Sequence, residues 1–117
     1  MALFLKKMYN EESTVIANAI DHQNYGKVSR NDARKVLGLP RDIRIIICVA
    51  NFDRLKGLNY LVESMPMILE KKQDIVLILV GDGPERNSLN AQILKLDMGQ
   101  NITLRGEIHH VDIPLWL

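Results

Sequence analysis

Residues 45–57, with the sequence IIICVANFDRLKG, decide the fold of this chain. The run 45–50 is continuously apolar, which predicts a strand covered on both faces, as in a parallel sheet. Polar groups, two cations and Gly57 then break the run, and an amphipathic helix follows. Because the first N–H groups of a helix lack partners and the helix dipole favours negative charge, this junction is suited to holding an anion. The stretch therefore predicts a phosphorylated ligand.

The remaining chain extends this unit on both sides. The pattern predicts strands at 43–50, 75–80 and 101–105, joined by helices, and this β-α-β-α-β order favours a parallel sheet with helices on both faces. We therefore expect an α/β fold. Further expected elements are a short helix at 3–9, a strand at 13–17, a loop at 18–28, a helix from the N-cap Ser29 to Leu37 that ends at Gly38, and a helical turn at 111–117.

The two crossover helices carry more detailed predictions. In the first, Pro66 predicts a kink or a late helix start, because proline removes a hydrogen bond inside a helix. In the second, Pro84 suits the first turn and Gly99 is the predicted residue after the C-cap. The predicted inward-facing residues are Leu58, Leu61, Val62, Met65, Ile68 and Leu69 in the first helix, and Leu89, Ile93, Leu94 and Leu96 in the second.

Composition narrows the classes of function. The 117 residues suit one domain, with 47% hydrophobic and 25% charged residues. A net charge of +1 and an aromatic content of 5% argue against a nucleic-acid partner. Cys48 stands alone within an apolar run, which is typical of a buried core residue and fits a reducing cytosol. No apolar run approaches the ~20 residues that span a bilayer, so no membrane segment is expected.

Three consecutive strand ends carry glycine and polar groups. Lys56 and Gly57 follow the first strand, GDGP (81–84) follows the second, and RGEI (105–108) ends the third. Ligands of open α/β sheets bind outside the carboxyl ends of the strands. Lys56 is therefore a candidate phosphate ligand, although a solvated surface lysine has the same sequence pattern, and Asp82 also fits an acidic N-cap. A metal site is not expected, because the adjacent His109 and His110 lack a third ligand nearby.

Taken together, these residues resemble the C-terminal domain of family-four, GT-B glycosyltransferases. The resemblance rests on VANFDRLKG (49–57), LVGDGP (79–84) and LRGEI (104–108), and on VIANAID (15–21), which is similar to that family's inter-domain segment. It implies a Rossmann-like, partial nucleotide-sugar-binding domain at 29–117, preceded by an inter-domain segment and loop at 1–28. It further implies sugar transfer with retention, no required metal or other cofactor, and a role in polysaccharide biosynthesis.

The resemblance also implies a set of site residues. Lys56 matches the diphosphate-binding lysine and is the expected catalytic cation. Asn51 stands where many members have an arginine, with Arg54 nearby, and Ala19 replaces a usual glycine. The expected nucleotide-sugar site is Asn51, Arg54, Lys56, Gly57, Gly81, Asp82, Gly83, Gly106, Glu107 and Ile108, of which the last three match the segment along the nucleobase.

Other parts of the family pattern have no counterpart in this sequence. The paired glutamates expected after Leu117 and the whole acceptor domain are missing, so the chain resembles a fragment. We expect it to be inactive alone, with a nucleotide-sugar donor as its ligand, and to self-associate through a sheet edge left open beyond 101–105. The expected location is cytoplasmic, and a membrane-peripheral location is left open for the full-length parent. A non-catalytic α/β regulatory module and a GT-B sugar-nucleotide epimerase remain as alternatives.

Overall fold

A three-stranded parallel sheet forms the centre of the fold. In the computed structural model, which describes residues 25–117 together with Met8, Thr14, Ile16, Ala17 and Gln23, the strands are β1 (Arg44–Val49), β2 (Ile75–Val80) and β3 (Ile102–Gly106). They lie in the order β1-β2-β3. β1 and β2 pair along their whole length, whereas the β2–β3 ladder shifts register after Leu79. Because all three strands are parallel, their carboxyl ends lie at the same end of the sheet.

Helices connect and flank these strands. Their bounds are α1 (Arg30–Leu37), α2 (Leu58–Lys71), α3 (Arg86–Lys95) and α4 (Ile113–Trp116), with 3₁₀ turns at Arg54–Lys56 and His110–Asp112.

The core has one part on each face of the sheet. On one face α2 and α3 bury Val62, Met65, Leu89 and Ile93, together with Phe52 from the loop after β1. On the opposite face the buried Trp116 of α4 packs with Ile78 and Val80, and Leu37 and Leu39 cover its margin. The helices thus lie on both faces, as the strand pattern predicts.

Most elements are where the sequence predicts them. The three strands are confirmed to within one residue at each end, and the helical turn at 111–117 is confirmed. The Oγ of Ser29 accepts a hydrogen bond from the N–H of Asp32 at 3.2 Å and caps α1, which ends at the left-handed Gly38. The helix at 3–9 lies almost wholly outside the described residues. So does most of the strand at 13–17, whose three described residues form no strand.

Several predictions about helix limits are wrong. α2 begins at Leu58 and runs through Pro66, so the late start is excluded, and the alternative of a kink at Pro66 stays a prediction. α3 begins at Arg86, with Pro84 in the turn before it, and its Leu94 is 68% exposed. Gly99 does not end this helix. Asp97 adopts the left-handed conformation instead (φ 56°), and its N–H and that of the next residue bond back to the last turn, as in a Schellman motif.

Candidate functional site

Backbone hydrogen bonds join the loops that follow the three strands. The N–H of Ala50 donates to Val80 O at 3.0 Å, which continues the β1–β2 ladder. Beyond it the N–H of Phe52 donates to Asp82 O at 2.8 Å, and the N–H of Gly81 donates to Gly106 O at 2.9 Å. The three predicted strand ends therefore meet at one rim of the sheet.

Two glycines allow this close approach. A Cβ on Gly81, where φ is 140°, would overlap the carbonyl oxygen of Ala50 and lie 3.0 Å from its carbonyl carbon. A Cβ on Gly83 would lie 2.6 Å from the carbonyl oxygen of Phe52. Only glycine fits at these two positions without moving the neighbouring loop. The Gly-Asp-Gly motif thus has a steric reason that is independent of any ligand.

Asp53 and Gly57 bracket the turn that carries Lys56. The Asp53 carboxylate accepts hydrogen bonds from the N–H of Leu55 at 2.9 Å and from the N–H of Lys56 at 3.2 Å. Gly57 then ends the 3₁₀ turn and begins α2. The side chain of Lys56 is exposed and forms no ion pair with any residue that the structure describes.

The N-terminus of α2 follows directly. No side chain caps it, and within residues 25–117 the N–H groups of Leu58 and Asn59 have no backbone or side-chain acceptor. An exposed ammonium group and free N–H groups at the start of a 14-residue helix therefore lie within three residues of each other along the chain. Such an arrangement favours an anion.

Asp82 is held by its own neighbours. One carboxylate oxygen accepts a hydrogen bond from the N–H of Gly83 at 2.7 Å, and the other accepts from the Arg86 guanidinium at 3.3 Å. Arg86 also donates to Leu104 O at 3.4 Å. Asp82 is therefore not the N-cap of α3. The cap position belongs to Glu85, whose side chain makes no capping bond.

A shallow depression of about 340 Å³ lies at the rim. Four predicted site residues line it, whereas Arg54, Lys56, Gly57, Asp82, Gly83 and Gly106 do not. The lining residues are Val49, Ala50, Asn51, Val80, Gly81, Glu107, Ile108 and Ile113.

Sequence reasoning missed three residues that shape this region. Phe52 is fully buried, although it stands in a polar loop. Asp53 caps the turn of Lys56. The sequence could have indicated this role, because an aspartate two or three residues before an N–H group is well placed to accept its hydrogen bond. Arg86 ties the β2 loop to β3, for which the sequence gives no signal.

The described residues contain neither a cluster of metal ligands nor a helix that could span a membrane. No group of three or more histidine, cysteine or acidic side chains there could hold a metal ion. None of the helices in that part of the chain has the length and apolarity to cross a bilayer.

Comparisons with known proteins agree on one fold. A crystal structure of Anabaena HepE in complex with UDP superposes with a TM-score of 0.69 at 25% identity, over 88% of this chain and 29% of that one. S. aureus TarM, crystallised with UDP and sugar ligands, superposes with a TM-score of 0.68 at 17% identity, over 92% of this chain and 20% of that one. These matches confirm the expected Rossmann-like GT-B fold.

Sequence comparisons give the family. The N-acetyl-alpha-D-glucosaminyl L-malate synthase of Bacillus anthracis is 26% identical over 102 residues, which make up 87% of this chain and 26% of that protein. The chain thus spans about a quarter of the length of the curated relatives that it matches. The family model described as "Glycosyl transferases group 1" matches residues 29–117. This chain belongs to the group 1 glycosyl transferases.

Proposed function

We propose that this chain supplies part of the donor site of a retaining glycosyltransferase, with the donor diphosphate bound between Lys56 and the N-terminus of α2. One observation carries the proposal. An exposed ammonium group, which forms no ion pair within the described part of the chain, precedes the uncapped N–H groups of α2, next to a rim where three strand ends meet. Relatives of the same fold were crystallised with UDP, which supports a nucleotide-diphosphate ligand.

The other predicted residues take their proposed roles from this placement. Gly81 and Gly83 allow the loops after β1 and β2 to approach each other closely, and so fix the rim beside which we propose that the ligand lies. Asn51 and Glu107 line the depression and offer polar groups to the nucleotide or sugar. We assign Gly106, Glu107 and Ile108 to the nucleobase, and Arg54 to the diphosphate as a second cation.

The proposed chemistry is electrostatic. When the bond from the anomeric carbon to the donor phosphate breaks, negative charge develops on the leaving diphosphate. A fixed cation and helix N–H groups stabilise that charge and lower the barrier, which is the role proposed for Lys56 as catalytic residue. The residues present offer cationic stabilisation in place of a metal ion, so we propose transfer without a bound metal.

The isolated chain is proposed to bind donor weakly and to transfer nothing. Catalysis requires the acceptor and donor to be held together in a reactive geometry. The stretch that aligns with this chain is 22–26% of the length of the matched relatives, and we propose that acceptor contacts are made by other parts of the parent protein. A nucleotide-sugar donor incubated with the chain should therefore show no turnover above hydrolysis.

Calorimetric titration with UDP and GDP tests the donor site. Lys56→Ala removes one charge-assisted contact, worth about 1.5–3 kcal/mol, and should weaken diphosphate binding roughly 10- to 150-fold. Lys72→Ala is the matched control, because Lys72 is an exposed lysine at the opposite end of α2. EDTA should leave the affinity unchanged.

Two results would overturn the proposal. Equal affinities for Lys56→Ala and Lys72→Ala would remove Lys56 from the site. Binding that requires a divalent ion would show that the cationic side chains do not suffice.

A further inference from the structure

Arg105 is the extra residue of a bulge near the end of β3. Leu79 of β2 pairs with Leu104, and the next residue of β2, Val80, pairs with Gly106. Arg105 therefore has no counterpart in the β2–β3 ladder. Bulges are rare between parallel strands, and they bend the strand and re-aim the side chain that they carry. The direction of the Arg105 side chain is thus set by an irregularity of the strand.

The Arg105 guanidinium lies over the indole ring of Trp116, 5.7 Å from the ring centroid. This distance is within the range of a cation–π contact. The two partners differ in exposure, since Arg105 is exposed whereas Trp116 is 6% exposed and packs with Ile78 and Val80 of β2. The contact therefore ties the end of β3 to a side chain that is anchored in the core.

The same contact joins the two ends of the segment 106–115, which is named the rim segment below. This segment leaves β3 at Gly106, whose carbonyl oxygen accepts a hydrogen bond from the N–H of Gly81 at 2.9 Å. It then passes through a 3₁₀ turn and returns to the sheet in α4, where Trp116 follows it. A backbone bond thus fixes the rim segment where it begins, and the contact of Trp116 with Arg105 fixes it where it ends.

The rim segment forms one wall of the shallow depression at the carboxyl ends of the strands. Glu107, Ile108 and Ile113 line that depression. Ile108 also packs against the core cluster that contains Trp116. A shift of Trp116 would therefore move the wall of the depression.

We propose that Arg105 is a positioning residue for the nucleobase of the donor. It holds Trp116 and thereby keeps the rim segment in the conformation that receives the base. The inference rests on the donor site proposed above, and it adds a residue that acts through Trp116 and not by touching the ligand. Affinity for the base should depend on Arg105, whereas affinity for the diphosphate at Lys56 should not.

Calorimetric titration with UDP, GDP and inorganic pyrophosphate separates these two affinities. Arg105→Ala should weaken binding of the tighter nucleotide roughly 2- to 5-fold, the factor that corresponds to one exposed cation–π contact, and should leave pyrophosphate binding unchanged. Arg105→Lys keeps a cation available to the ring and should restore most of the nucleotide affinity. Arg41→Ala is the matched control and should change none of the affinities. It removes an exposed arginine that precedes β1, at the opposite end of the sheet.

A double-mutant cycle tests whether Arg105 acts through Trp116. Trp116→Leu keeps an apolar side chain in the core but removes the aromatic face. In that background Arg105→Ala should cause no further loss of nucleotide affinity, because the contact is already gone. A further loss of the same size would show that Arg105 acts by another route. If Trp116→Leu fails to fold, the variants of the exposed Arg105 still decide the proposal.

Four results would overturn the inference. Equal losses of nucleotide and pyrophosphate affinity would place Arg105 at the diphosphate. Unchanged nucleotide affinity in Arg105→Ala, with or without a lower free energy of unfolding, would make the contact with Trp116 structural only. Nucleotides that bind no more tightly than pyrophosphate would show that the base makes no contact, and would leave the site at Lys56 standing. Binding of none of the three ligands to the unmodified chain would refute the donor site itself, and this inference with it.

Discussion

Replacing Gly81 with alanine tests whether the rim of the sheet is built by close backbone contact. Gly81 has φ of 140°, a conformation that residues with a Cβ rarely adopt, and the new methyl group would overlap the carbonyl oxygen of Ala50. The chain has to move one of the two loops, since neither atom belongs to a flexible side chain. The shift would disturb the bonds from Gly81 N–H to Gly106 O and from Ala50 N–H to Val80 O.

The expected loss in the free energy of unfolding follows from these contacts. A strained backbone conformation costs about 1–3 kcal/mol, and each weakened backbone hydrogen bond costs about 0.5–1.5 kcal/mol. We expect a total of about 3 kcal/mol, which is a large part of the roughly 5–15 kcal/mol that stabilises a domain of this size. The melting temperature should fall by roughly 10 °C.

Gly99→Ala is the matched control for this change. A Cβ at Gly99 meets no atom within 4 Å, and φ there is not positive. Urea unfolding of the two variants at equal protein concentration measures the difference, and the Gly99 variant should match or slightly exceed the unmodified chain. If Gly81→Ala is as stable as Gly99→Ala, the close approach of the loops does not stabilise the fold and the steric argument fails.

Three further changes have smaller expected effects. Asp53→Ala removes the carboxylate that caps the turn of Lys56, and should lower the free energy of unfolding by about 1 kcal/mol in urea titration; unchanged stability would show that the cap is dispensable. Asp97→Gly places glycine at a left-handed position where a residue with a Cβ is strained by roughly 1 kcal/mol, and should therefore raise the melting temperature in calorimetry. A lower melting temperature would contradict the helix-end assignment. Asp74→Ala breaks an ion pair with Arg44 whose side chains are 48% and 58% exposed, and should cost under about 1 kcal/mol at low salt and less at high salt; a larger loss that is insensitive to salt would show a different role.

The strands were predictable because their signals are local and strong. The apolar runs at 45–50 and 75–80 carry no polar alternation, and the resulting strands form the most extensive ladder of the sheet. The cap at Ser29 and the stop at Gly38 were equally readable, since each depends on the chemistry of one residue. The shared rim then followed from parallel topology alone.

The errors came from contacts that sequence patterns do not encode. Gly99 was the obvious residue to end α3, but the Schellman bonds form two residues earlier, at Asp97. Leu94 follows the helical spacing of the core, yet it lies beside the open side of β3 and is exposed. Asp82 has the sequence pattern of a helix cap, but its carboxylate accepts a hydrogen bond from Arg86 instead. Arg86 also donates to the carbonyl oxygen of Leu104 in β3, a contact that the sequence does not indicate. The errors at Leu94 and Asp82 involve an edge of the sheet and a partner distant in sequence, whereas the error at Gly99 is a local choice between two possible helix ends.

The proposed site combines two independent contributions, and they can be measured separately. Backbone bonds and glycines fix the rim, so a change at Gly81 should lower stability and nucleotide affinity together. Lys56 makes no ion pair with the described residues and is exposed, so its removal should lower affinity while the unfolding free energy stays within about 0.5 kcal/mol of the unmodified chain. If Lys56 is only a solvent-exposed surface residue, its removal should change neither the nucleotide affinity nor the unfolding free energy. If Lys56 stabilises the turn before α2, its removal should change the unfolding free energy alone. Affinity loss without stability loss at position 56 is thus the result that separates a donor site from both structural explanations.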